Sequence, residues 1–89
     1  MSNNFDSLKE KLEKDFSWPS VYFFKFIIPA DNKKLALLES LFGEEAKIQI
    51  KQSTNGNYIS FSAKELMLSA QSVIDRYTEA QKIEGIMSL

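Results

Sequence analysis

Few side chains in this sequence can do chemistry, and none falls into a catalytic arrangement. Histidine and cysteine are both absent from the 89 residues, so imidazole bases, thiol nucleophiles, disulfides and zinc clusters are excluded. Lys33 and Lys34 stand near the start of a predicted helix, where backbone amides favour an anion. A phosphate-handling site in that loop would need an arginine and an amide to place water. The segment Pro29-Ala30-Asp31-Asn32-Lys33-Lys34 has no arginine, and the single arginine of the chain, Arg76, falls within a later helix. The plainer reading is a solvated first turn. Glu44-Glu45 and the i,i+4 pair Asp75 and Glu79 offer carboxylates, but neither comes with a base or a histidine for a metal. Both read as solvated surface. Ser53-Thr54-Asn55-Gly56-Asn57 could hold a small polar ligand on exposed amides, yet a tight hairpin needs the same residue types.

These groups must be positioned by one small domain. The sequence is 44% apolar and 26% charged, as in an ordinary globular protein. Eleven basic and twelve acidic residues leave a formal net charge of -1, without the excess that nucleic acid or a membrane surface attracts. The start, Met1-Ser2-Asn3-Asn4-Phe5-Asp6, lacks the pattern of a signal peptide. The apolar run Val21 to Ile28 is interrupted by Lys25 and is too short to cross a bilayer. The expected setting is cytoplasmic, with no membrane partner.

Phe5, Leu8, Leu12 and Phe16 share one helical stripe, and Ser17-Trp18-Pro19-Ser20 ends that helix. Val21 to Ile28 is rich in β-branched and aromatic residues between two prolines, and predicts a central strand. Its even face (Tyr22, Phe24, Phe26, Ile28) is wholly apolar and belongs on the core. Its odd face (Val21, Phe23, Lys25, Ile27) contains a charge. Asp31 or Asn32 can cap a helix through Leu35, Leu38, Leu41 and Phe42, which Gly43 would end in the left-handed conformation.

Residues 46–53 alternate, with Ile48 and Ile50 on one face and Lys47, Gln49 and Lys51 on the other. Asn55-Gly56 predicts a type I′ hairpin turn and sets a register. Ile50 then opposes Phe61, Ile48 opposes Ala63, Lys51 opposes Ser60 and Gln49 opposes Ser62. Turn chemistry and hydrophobic pattern choose the same pairing. Ser62-Ala63-Lys64-Glu65 resembles a capping box, but a helix there would leave the hairpin unpaired. The strand is therefore expected to run to about Leu66, with a helix from about Ser69 burying Ala70, Val73, Ile74, Tyr77 and Ala80. Ile83 to Leu89 predicts a short closing strand weakened by Gly85.

The elements read helix, then β-α-β-β-α-β. That is an α+β, ferredoxin-like sandwich with two helices on one face of a four-stranded antiparallel sheet. The other face stays open, and its candidate ligand or partner surface is Phe23, Lys25, Lys47, Gln49, Lys51, Ser60 and Ser62. Stacking of single-stranded nucleic acid needs rings in the central strands. Ser60 and Ser62 hold those places, with Tyr58 only at the turn end, so nucleic acid is disfavoured. Phe23 and Ile27 are too apolar to sit bare beside Lys25. The stripe Phe5-Leu8-Leu12-Phe16 is therefore expected to cover the open face, from its own chain or from a second copy in a homodimer. Lys25, Lys47 and Lys51 would then meet Glu10, Glu13 or Asp15.

From Trp18 to Leu89 the chain resembles the YbeD-like family of small bacterial proteins. The resemblance rests on Trp18-Pro19, Phe24-Lys25, Ser53-Thr54-Asn55-Gly56-Asn57-Tyr58, Ser60-Phe61-Ser62, Tyr77 and Lys82-Ile83. Gln52 departs from it, standing where the family tends to have proline. The resemblance implies a ferredoxin-like fold similar to the ACT regulatory domains, which bind small effectors such as amino acids, and it implies no catalytic residue. The expectation is an N-terminal amphipathic helix over 1–17 and a YbeD-like domain over 18–89. Its role is expected to be regulatory and non-enzymatic, through an effector or a partner protein, with no cofactor and no metal. The competing readings are weak single-stranded nucleic-acid binding and a phosphate-group hydrolase.

Overall fold

The run between the two prolines does become a strand: β1 spans Ser20–Pro29 and supplies the middle of the core. The structure, a computed structural model, describes residues 5–89. The first four residues, with the start of the helical unit expected over 1–17 and most of the segment read against a signal peptide, lie outside the described residues. Helix α1 (Asp6–Asp15) precedes β1; α2 (Asn32–Glu39), β2 (Lys47–Gln52), β3 (Tyr58–Met67), α3 (Ala70–Ala80) and β4 (Met87–Ser88) follow. The architecture is α+β, with a four-stranded sheet in the order β2-β3-β1-β4. Every neighbouring pair is antiparallel.

The period-2 pattern places the core as expected. Phe24, Phe26 and Ile28 of β1 and Ile59, Phe61, Ala63 and Met67 of β3 are buried. The helix stripe Ala70, Val73, Ile74, Tyr77 and Ala80 packs onto them. At about 1.5–3 kcal/mol for each large apolar side chain removed from water, this layer is the main stabilising term. Ser69 caps α3 by accepting from the amide of Ser72, whose hydroxyl accepts in return from the amide of Ser69. The capping box therefore forms at Ser69, not at Ser62, and β3 runs on to Met67. Residues Ser62 to Glu65 are the strand partners of β1 and β2, and those ladder bonds outweigh a local cap.

The hairpin register agrees residue by residue with the expectation, from Lys47 opposite Lys64 to Gln52 opposite Ile59. The turn type does not. A type I′ turn needs positive φ at both central residues, and among the described residues no non-glycine residue has it. Instead the Gly56 amide donates to the Ser53 carbonyl at 2.9 Å, closing a tight turn over Thr54 and Asn55, and Gly56 takes the left-handed step at φ 75°. Asn55 is held by its own side chain, which accepts from the Asn57 amide and from the Ser53 hydroxyl. That Asx-type bonding favours negative φ and a four-residue loop.

Other expectations are corrected at element ends. Asp31, not Asn32, is the cap of α2. The helix stops at Glu39, and Gly43 is not left-handed; two tighter turns carry Leu41 and Phe42 onward. Ile50 is 45% exposed, because β2 is an edge strand. Ile83 is a buried plug after α3, not a strand residue. Gly85, at φ 83°, redirects the chain so that only Met87 and Ser88 pair with Ile27 and Phe26.

The largest correction concerns α1. It does not cover the open face. The helix lies against α3, Leu12 is buried in the main core, and Phe5, Leu8 and Phe16 pack on it. Phe5 stacks on Tyr77 at 5.9 Å, and Phe16 on Trp18 at 5.3 Å. The sequence stripe was sound, but α3 and the aromatic start of β1 offered it more apolar surface than a face carrying lysines.

Candidate binding face

The register builds the open face in rows. Lys47, Lys64 and Phe23 form one row; Gln49, Ser62 and Lys25 form the next; Lys51, Ser60, Ile27 and Met87 form the third. All seven residues expected on this surface are there. Phe23 is 70% exposed, Lys25, Lys47, Gln49 and Lys51 are exposed, and Ser60 and Ser62 are half-buried at the centre. Tyr58, half exposed, stands at the turn end as expected.

The sequence reading missed Lys64. The strand expected to run to about Leu66 already implied it, since Lys64 continues the alternation of Ser60 and Ser62. Its ammonium lies 5.5 Å from the centre of the Phe23 ring, within cation–π range. It also stands directly opposite Lys47, an arrangement that destabilises an antiparallel pair. No strand residue pointing to this face is acidic; at its corner Glu45 and Glu65 line a depression with Lys47, Lys64, Val21 and Leu66, and Glu65 is already paired with Arg76. Among the described residues none of the four lysines forms an ion pair.

Two depressions follow one another along β3. One of about 330 Å³ is lined by Phe23, Lys47, Gln49, Ser62 and Lys64. The other, about 200 Å³, is lined by Ile27, Lys51, Tyr58 and Ser60 together with the hairpin loop. The small serines make the floor, and rings and lysine stems make the walls. Exposed Val21 and Leu66 extend the apolar surface at one end, and Met87 and Leu89 along one side.

The other candidates are engaged internally. At the start of α2 the amides of Lys33 and Lys34 already donate to Asp31 Oδ1, at 2.8 and 3.1 Å. In the hairpin loop the Asn57 amide is taken by Asn55, and the Tyr58 amide donates to Ser53 Oγ at 3.0 Å. Asp75 accepts from Gln71, and Glu79 pairs with Lys82. Arg76 is held by Glu65 at 2.8 Å, with both side chains about 15% exposed. Glu65 falls on the core face of β3, so strand parity alone demanded a cation for it. Tyr22 and Tyr77 share a hydroxyl contact of 3.1 Å. Burial, and then that bond, raise the Tyr77 hydroxyl well above the ordinary tyrosine range.

Among the described residues no three potential metal ligands gather, and no helix is long and apolar enough to cross a membrane. No family model, no curated protein and no solved structure matches this chain.

Proposed function

We propose that this chain is a non-catalytic regulatory or interaction domain whose working surface is the open face of the sheet. Its ligand is anionic: a small effector, as the resemblance to YbeD-like and ACT domains suggests, or an acidic partner protein. The strand order β2-β3-β1-β4, with α2 and α3 on the core side, supports reading the fold as ferredoxin-like with α1 added.

One observation carries the proposal. Four unpaired lysines, two of them directly opposed, share a face with a ring that is 70% exposed. The opposed pair Lys47 and Lys64 is unfavourable for the chain alone and is relieved when a counter-charge arrives, and the exposed ring gains by being covered. A hydrolase finds less support, since Arg76 is committed to Glu65 and the amides at the start of α2 to Asp31.

The test is affinity capture from native cytoplasm with the intact chain and with Lys25→Glu/Lys64→Glu, identifying retained proteins and metabolites by mass spectrometry. A species retained by the intact chain and lost by the variant is expected. Identical sets would remove the open face as the working surface. Acyl-phosphate turnover abolished by Lys33→Ala would replace the binding reading with the hydrolase.

A further inference from the structure

We infer that the open face receives an amphipathic helix from a partner protein, apolar along one stripe and acidic along its flanks. This rests on the working face proposed above and names its occupant.

The shape of the face argues for a helix. The two depressions lie in line along β3, from Lys64 to Tyr58, a span of about 20 Å at ~3.3 Å per residue. A helix of about 14 residues covers that length, and side chains at i and i+7, about 10.5 Å apart, can enter successive depressions. Ser60 and Ser62 form the low strip on which a helix can approach the sheet closely.

The chemistry argues for acidic flanks. Lys47 and Lys51 stand on β2 at one side of the strip, with Lys64 within it and Lys25 on β1 at the other side. Carboxylates on both flanks of a docked helix would meet them, while its apolar stripe covers Phe23, Ile27 and Tyr58. Charge complementarity also argues against a face-to-face pairing of two copies, which would oppose eight lysines with no carboxylate among the strand residues that point to this face.

A single-stranded nucleic acid would use the charges but not the rest. Its bases need successive rings, and here only Phe23 and Tyr58 are offered, at opposite ends. The remaining exposed apolar side chains, among them Val21, Leu66 and Met87, are aliphatic and do not stack.

The experiment is amide-resolved NMR titration and fluorescence anisotropy on the full chain with four probes. These are a synthetic peptide of about 18 residues, long enough to span the strip as a helix, with a leucine stripe and glutamate flanks; the same peptide with lysine flanks; an oligouridine; and phosphatidylglycerol vesicles. The acidic peptide is expected to bind, shifting amides of β1 and β3. Its affinity should fall about tenfold or more in Lys25→Glu/Lys64→Glu, in Phe23→Ser and on raising the salt several-fold. Phe23→Ser and the salt titration keep the test decisive if the double charge reversal does not fold. Equal binding of the lysine-flanked peptide overturns the inference. Binding of oligouridine or vesicles at this face without the acidic peptide also overturns it, yet leaves the working face intact. If no probe shifts this face, the inference falls, and the working face is then decided by the capture experiment above.

Discussion

Arg76 holds Glu65 across the boundary between α3 and β3 with both terminal nitrogens, at 2.8 and 3.4 Å. Its guanidinium carbon lies 4.6 Å from the centre of the Phe42 ring. The Gly43 amide donates to the same carboxylate at 3.4 Å. The pair thus ties the helix layer and the loop after α2 to one end of the sheet.

Removing one partner of a fully buried pair costs about 3–5 kcal/mol. With about 15% of each side chain in solvent, part of the stranded charge is screened. Arg76→Met should therefore cost about 1–3 kcal/mol. The double variant Arg76→Met/Glu65→Leu should recover much of that loss. A double-mutant cycle in urea measures both, and strict additivity would deny the coupling.

The two left-handed glycines should respond differently to alanine. At Gly56 an added Cβ finds its nearest neighbour at 3.7 Å, so Gly56→Ala meets only the conformational penalty, about 1 kcal/mol. At Gly85 the added carbon would lie 2.8 Å from Pro29 Cγ, so Gly85→Ala should cost clearly more. Equal denaturation midpoints for the two variants would contradict the geometry.

Leu12 is 3% exposed, and Phe23 is 70% exposed. Leu12→Ala should destabilise by about 2–4 kcal/mol through the cavity left in the core. Phe23→Ser should stay within about 0.5 kcal/mol. The opposite ranking in thermal melts would return α1 to the open face.

Burial and the Tyr22 contact raise the Tyr77 hydroxyl, which sets a sign for alkaline stability. Above about pH 10 an unfolded tyrosine loses its proton while the folded Tyr77 keeps it. The folded state then binds more protons, so stability present below that pH falls as pH rises. Tyr77→Phe should cost about 0.5–1.5 kcal/mol near neutrality and show a shallower loss between roughly pH 10 and 11.5. Parallel urea midpoints across that range for both proteins would refute the assignment.

Sequence alone determined what local periodicity and residue type control. The even face of Val21–Ile28, the stripe from Ala70 to Ala80, the register of Ile50 on Phe61 and the seven residues of the open face all follow from repeats of 2 and 3.6. Such patterns are written in neighbouring residues and survive into the folded chain. Tertiary structure decided which surfaces meet. An amphipathic stripe states that Leu12 must be buried, but not against what, and α3 offered more apolar area than a face bearing Lys25. The turn at Asn55-Gly56 followed side-chain bonds of Ser53 and Asn55 that dipeptide preference does not encode. Ser62-Ala63-Lys64-Glu65 could cap a helix or extend a strand; the hairpin register already favoured the strand, and pairing with β1 carried it to Met67. That choice put Glu65 beside Arg76 and Lys64 beside Phe23, because a long-range ladder outweighs one local cap.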